Sequence, residues 1–152
     1  MAQGEHTVAV NRKAGHEYHL LDRYEAGIEL KGTEVKSIRQ GKVNLSDAFV
    51  VIRKGEAFVY NMHISPYDHG TAWNHEPTRP RRLLLHKREI LKLARATEQR
   101  GYTIVPTRLY FKNGYAKLEI AVAKGKALHD KREAIKRREL DRQLRDILRE
   151  RR

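Results

Sequence analysis

From His16 onward the chain alternates apolar and polar positions in the manner of extended strands: Tyr18, Leu20 and Asp22 against His19, Leu21 and Arg23. The run Tyr24-Glu25-Ala26-Gly27 interrupts that alternation. Leu30, Val35 and Ile38 then fall at helical spacing and Gly41 supplies a stop, which predicts a short amphipathic helix over residues 31–40 with Lys36 and Arg39 on its outer face. Residues 49–52 and 57–60 flank Arg53-Lys54-Gly55-Glu56, a hairpin signal, and residues 62–64 extend or follow the second strand. Residues 66–80 hold Gly, Asn, Asp and three prolines and predict a loop. Arg79-Pro80-Arg81-Arg82 leads out of it into Leu83-Leu84-Leu85, a short apolar strand. Residues 86–100 read as a helix with Ile90, Leu91 and Ala94 on one face and Gly101 at its end. Residues 103–111 and 115–123 alternate around Lys112-Asn113-Gly114, where Asn-Gly is a strong hairpin signal. Residues 1–15 are polar and small, and their first few are expected to be mobile.

Five or six short strands in hairpins, with two helices inserted, predict a mainly β, α+β body closed as a small antiparallel barrel. One composition break divides the chain into a body, residues 1–124, and a tail, residues 125–152. After Gly125 the tail has no glycine, proline or aromatic residue, and from Gly125 it carries eleven Lys and Arg against six Asp and Glu. On a helical wheel Lys131, Arg138, Arg142, Arg145, Arg149 and Arg152 fall within about 80° of arc. Leu140, Leu144, Ile147 and Leu148 form a second, apolar arc. A solvated helix with ordinary pairs, Glu133 with Arg137 and Asp141 with Arg145, is the competing reading. So little apolar content predicts a tail that is disordered alone and helical on an anionic partner.

Charge narrows the partner. The 152 residues carry 32 Lys and Arg against 19 Asp and Glu, a formal +13, so the body is basic even without its tail. Nucleic acid is favoured over membrane, because no apolar run approaches the ~18 residues of a span and the start of the chain has no signal-type segment. The sequence contains no cysteine, which excludes disulfides and thiolate metal sites and fits a cytoplasmic protein. There is no Gly-rich phosphate loop, Gly-x-Ser-x-Gly or HExxH. His16 and His19 read as strand neighbours facing opposite sides, and His69 and His75 as loop residues without an obvious third ligand. No catalytic residue, metal or cofactor is therefore expected. Basic residues instead recur at the edges of elements, namely Arg12, Lys13, Lys36, Arg39, Arg79, Arg81, Arg82, Lys87, Arg88, Lys124 and Lys126, with Tyr18, Tyr24, Tyr60, Tyr67 and Trp73 among them. That combination suits structured RNA, although each aromatic is individually more apt to fill a barrel.

The motifs themselves resemble the small protein B family, the SsrA-binding proteins that partner tmRNA in bacterial trans-translation. The matching stretches include Asn11-Arg12-Lys13-Ala14 with His16 and Tyr18, Tyr24-Glu25-Ala26-Gly27-Ile28, and Gly32-Thr33-Glu34-Val35-Lys36-Ser37. Further along are Arg82-Leu83-Leu84-Leu85-His86, Tyr110-Phe111-Lys112, and Lys124-Gly125-Lys126 followed by His129-Asp130-Lys131-Arg132. The resemblance implies an OB-like barrel with two or three peripheral helices that binds the tRNA-like domain of tmRNA. Its RNA-contacting positions carry over to Asn11, His16, Glu25 and Leu84, with Arg12, Lys13, Lys36, Arg81, Arg82, His86, Lys124 and Lys126 as basic neighbours. It also implies a tail, from Gly125 through Asp130, Lys131 and Arg132, that enters the decoding region and empty mRNA channel of the small ribosomal subunit against ribosomal RNA. A monomer is the expected state. Gly15 and Ala127 stand where the family commonly carries basic residues. Two other functions compete: a general OB-type translation factor or RNA chaperone, and an RNA-processing enzyme for which no catalytic set is present.

Overall fold

The computed structural model describes residues 5–68, 74–126, 140 and 142–145. Its elements in chain order are β1 (His6–Val10), α1 (Arg12–Glu17), β2 (Tyr18–Ile28), α2 (Gly32–Arg39), β3 (Val43–Asn44), β4 (Phe49–Arg53), β5 (Glu56–Tyr60), β6 (His63–Ile64), β7 (Arg81–Leu84), α3 (Lys87–Glu98), β8 (Tyr102–Lys112) and β9 (Tyr115–Gly125). Seven strands run in the order β1-β8-β4-β5-β7-β2-β9, all antiparallel, and β9 pairs back onto β8. Strands β8, β4, β5, β7, β2 and β9 thus close a ring, as the sequence predicts, while β3 and β6 form a separate two-stranded sheet. The ring closes because the long strands bend: register shifts interrupt β2–β9 between Leu20 and Arg23 and β8–β9 between Pro106 and Arg108. Bending lets β8 meet β4 at its start, through Val50 opposite Ile104, and β1 along residues 108–111.

Period-two alternation fills the ring. Ala26 and Ile28, Ala57 and Val59, Arg81 and Leu83, and Leu118, Ile120 and Val122 are buried, whereas Glu25, Glu56, Arg82 and Leu84, at alternate positions of β2, β5 and β7, are exposed. Both predicted hairpins are present, and each turn places two residues at positive φ: Lys54 (50°) with Gly55 (76°), and Asn113 (53°) with Gly114 (83°). That backbone matches the right-handed twist of the flanking strands.

Several expectations need correction. Residues 6–17 form β1 and α1 because Asn11 caps the helix, and Ala14 of α1 packs on Val105 and Ala123 of the ring's outer side. His16 therefore lies in a helix and only His19 in a strand. Tyr24-Glu25-Ala26-Gly27 does not interrupt β2, since β9 pairs with all four residues and β7 joins at Gly27. In α3 it is Leu93 that is fully buried, joined by half-buried Ile90, Ala94 and Thr97, while Leu91 is 56% exposed. The periodic stripe is i, i+3, i+4, i+7 from Ile90, which keeps Ile90 and Ala94 of the predicted face and puts Leu93 in place of Leu91.

Candidate nucleic-acid interface

On the outer side of the ring, β2, β7 and the start of α3 enclose an open cleft of about 410 Å³ lined by Glu25, Gly27, Arg82, Leu84, His86 and Lys117 among others. Its shape depends on Gly27. A Cβ there would stand 3.2 Å from the Leu84 Cβ, so the bare backbone lets the Leu84 side chain lie across β2. Leu84 is 48% exposed and shares the cleft lining with half-buried Leu85 and Ile90. Arg82 faces Glu29 and Glu56 at 3.4 Å each, long exposed pairs that hold it weakly and leave donors for an anion. His86 precedes α3 and donates its backbone N–H to Glu89 Oε1 at 2.9 Å, fixing the helix start beside the cleft.

Glu25 is held in place by two donors. Tyr110 donates its hydroxyl to Glu25 Oε2, and Lys112 Nζ lies 3.3 Å from the same oxygen. The Tyr110 hydrogen bond, with Lys112 and Lys117 nearby, keeps the carboxyl below its usual range despite partial burial. Conversely, burial and the bond to Glu25 push the Tyr110 phenol well up. Arg108 sits 4.0 Å over the Tyr110 ring and bonds Glu5 at 3.0 Å. A carboxylate so arranged stays ionised near neutral pH, its charge balanced by Lys112.

Other predicted residues lie elsewhere. Lys124 lies 5.8 Å over the Tyr102 ring. Lys126 N donates to Glu17 O at 2.9 Å and its Nζ to Gly15 O at 3.3 Å, so the chain is fastened to the end of α1 just after Gly125, the last residue of β9. Arg12, Lys13 and His16 are exposed on α1, with Lys13 bonded to Asp47 at 3.1 Å. Seven residues of β2 separate this basic cluster from Glu25, about 23 Å along the strand. Lys36 is exposed on α2, 5.4 Å from the Tyr67 ring centroid.

Two of the residues predicted to face RNA, Asn11 and Arg81, are structural instead. Asn11 is 7% exposed; its Nδ2 donates to Leu45 O (3.2 Å) and Pro106 O (2.8 Å) and its Oδ1 caps Ala14 N (3.1 Å), so its amide is committed to α1 and the ring. Arg81 has no exposed surface. Its Nε pairs with Glu34, Nη1 donates to Met62 O at 2.6 Å and Nη2 to Pro77 O at 3.0 Å. Inward Arg81 and outward Arg82 follow from strand alternation, and Glu34, brought from α2, neutralises the buried cation. His75 is buried too: Ile64 O (2.8 Å) can only accept, so Nε2 donates to it, and Nδ1 shares a hydrogen bond with Thr33 Oγ1 (2.9 Å). Sequence reasoning missed Lys117, whose signal was the outward phase of β9, and the roles of Tyr110 and Arg108 around Glu25. In the tail, Asp130, Lys131, Arg132, Arg138 and Arg149 lie outside the described residues. Leu140, Arg142, Leu144 and Arg145 are helical and exposed.

A family profile described as SmpB protein matches residues 8–150. The chain belongs to the SmpB family. A relative named SsrA-binding protein from Carboxydothermus hydrogenoformans is 57% identical over 147 residues, covering 97% of this chain and 99% of its own. Another of that name, from Geobacillus kaustophilus, is 55% identical over 152 residues, 99% and 98% of the two chains. A solved structure described as "tmRNA-SmpB: a journey to the center of the bacterial ribosome" superposes with a TM-score of 0.69 at 46% identity, over 84% of this chain and 93% of that one. Gly15 is exposed and has nothing within 4 Å of a Cβ, so a larger side chain would fit there.

Proposed function

We propose that this chain is a non-catalytic adaptor of trans-translation: it binds the tRNA-like domain of tmRNA and brings it to stalled ribosomes. The observation that carries the reading is the cleft in which Glu25, Leu84, Arg82 and His86 meet on a basic body. Each group has a chemistry suited to RNA. Exposed Leu84 packs on an unstacked base, Glu25 accepts from a base amine, and Arg82 and Lys117 take phosphates. Arg12, Lys13, His16, Lys124 and Lys126 extend the contact along the other end of β2, while Asn11 supports it by holding α1.

Residues 1–124 act as the RNA-gripping body and residues 125–152 as the ribosome-facing tail. A cationic helix with Arg142 and Arg145 on one side suits a channel walled by phosphates, and Asp130, Lys131 and Arg132 take the decoding region. Message and tail compete for one channel, so the empty channel is sensed by exclusion. The protein works in the cytoplasm as a monomer. Competition binding tests the reading: the full-length protein is expected to prefer the tRNA-like domain over bulk tRNA, with affinity falling about 0.7 to 0.9 logarithmic units per decade of salt for each phosphate neutralised. Equal affinity for the two RNAs would overturn it.

A further inference from the structure

Beyond the cleft, the outer side of β4 and β5 carries a strip with no role so far. Phe49 and Tyr60 stand opposite each other in the ladder and their rings stack, centroids 5.7 Å apart and planes within 11°. Val51 and Phe58 form the next pair facing the same way, and Phe58 is in register with Arg82 of β7. Cross-strand aromatic pairs stabilise hairpins whatever they face. This hairpin, however, already has five registered pairs and a two-residue turn with both φ values positive, so its register needs no exposed ring. Phe49 is nevertheless 37% exposed.

The strip also joins the two basic clusters. At one end the Gly55 and Glu56 turn lines the Glu25/Leu84 cleft, and at the other Phe49 shares a recess of about 160 Å³ with Lys13 of α1. Glu56, which lines the cleft with Leu84, is four residues from Tyr60 along β5, so the stack lies about 14 Å from the cleft. The charges along it suit phosphate. Arg53 donates to the Tyr60 hydroxyl at 3.1 Å, and no carboxylate among the described residues pairs with it, while exposed Lys54 adds a second cation. Of the nearby acids, Asp47 pairs with Lys13 at 3.1 Å, while Glu56 reaches Arg82 only at 3.4 Å.

We propose that Phe49, Tyr60 and Arg53 form a stacking platform for unstacked nucleotides of the same RNA whose folded part occupies the cleft, so that one strand of RNA tracks from Leu84 toward Lys13. This rests on the proposed tmRNA reading, and the test separates the two. Full-length Phe49→Leu, Arg53→Gln and Leu84→Ser proteins are titrated with tmRNA at several salt concentrations, with melting curves recorded for each. Phe49→Leu is expected to weaken binding about five- to hundredfold with an unchanged salt slope, because the ring carries no charge. Arg53→Gln is expected to lower the slope by about 0.7, one phosphate of a single strand. If Phe49→Leu fails to fold, Arg53→Gln decides alone. Wild-type binding and slope in both, with Leu84→Ser weakened, overturns the platform, leaves the cleft intact and assigns the strip to a protein partner. Wild-type binding by Leu84→Ser overturns the cleft, and the platform is then judged on its own two variants.

Discussion

Replacing Glu34 with glutamine removes the charge that neutralises the interior of the ring. Glu34 has no exposed surface, and it accepts from the buried Arg81 Nε, from Arg79 Nε (3.1 Å) and Nη2 (2.5 Å), and from Lys31 N (2.7 Å). Burial alone would raise its pKa, but the hydrogen bonds from Arg79, the Lys31 N–H and Arg81 outweigh it and hold the carboxyl below its usual range. Glutamine keeps the shape but turns an acceptor into a donor against two guanidinium groups. Breaking a buried pair this way costs about 3–5 kcal/mol, and at about 2–4 °C per kcal/mol for a chain of this size the melting temperature falls by about 6–20 °C. Thermal unfolding followed by circular dichroism reads the change. RNA affinity falls with it, because β7 points Arg81 inward and the cleft residues Arg82 and Leu84 outward. Glu34→Leu combined with Arg81→Met recovers at least part of the loss, since an apolar pair needs no neutralising charge. A folded-state pKa below the unfolded value means that the stabilisation is present above pH about 4.5 and is lost as the pH falls through the depressed folded value. A Glu34→Gln protein melting within about 2 °C of wild type would refute the role given to this pair.

Asn11→Ala loses a helix cap and strands two buried carbonyl acceptors, so stability is expected to drop by about 1–3 kcal/mol, a melting shift of about 2–12 °C. Arg82→Gln is expected to do the reverse of any change at Arg81: the salt slope of tmRNA binding falls by about 0.7–0.9 while melting stays within about 2 °C of wild type. Tyr110→Phe removes the donor that depresses Glu25, so the Glu25 carboxyl, followed by side-chain NMR, titrates at higher pH than in the wild type. The stabilisation from its ionised form is present above the usual carboxylate range and disappears as the pH falls, and in the variant it disappears sooner.

Local signals carried much of the fold. Lys54-Gly55 and Asn113-Gly114 announce their hairpins because only residues tolerant of positive φ make such turns, and Gly41 marks where α2 stops. What the sequence hid depends on contacts between distant residues. Tyr24-Glu25-Ala26-Gly27 reads as a break until β9 pairs along it and β7 joins at Gly27, and α1 is too short to exist without Asn11 reaching residues 34 and 95 positions away. Arg81 and Arg82 look alike in sequence; strand phase and a glutamate 47 residues off make one a core cation and leave the other for the surface. The cleft followed the same rule: Glu25, Leu84, His86 and Tyr110 stand in the motifs, whereas Lys117, Arg108 and the contact of Tyr110 with Glu25 entered only once β2, β8 and β9 lay side by side.

The division of labour between body and tail is tested most directly by reversing two charges, Lys131→Glu with Arg132→Glu, in the full-length protein, and measuring tmRNA affinity and peptide tagging on stalled ribosomes side by side. If the body grips the RNA and the tail probes the empty channel, affinity stays within about threefold, well under the tenfold that 1.4 kcal/mol represents, and tagging is abolished. Tagging at the wild-type level, or a large loss of tmRNA affinity, would contradict it.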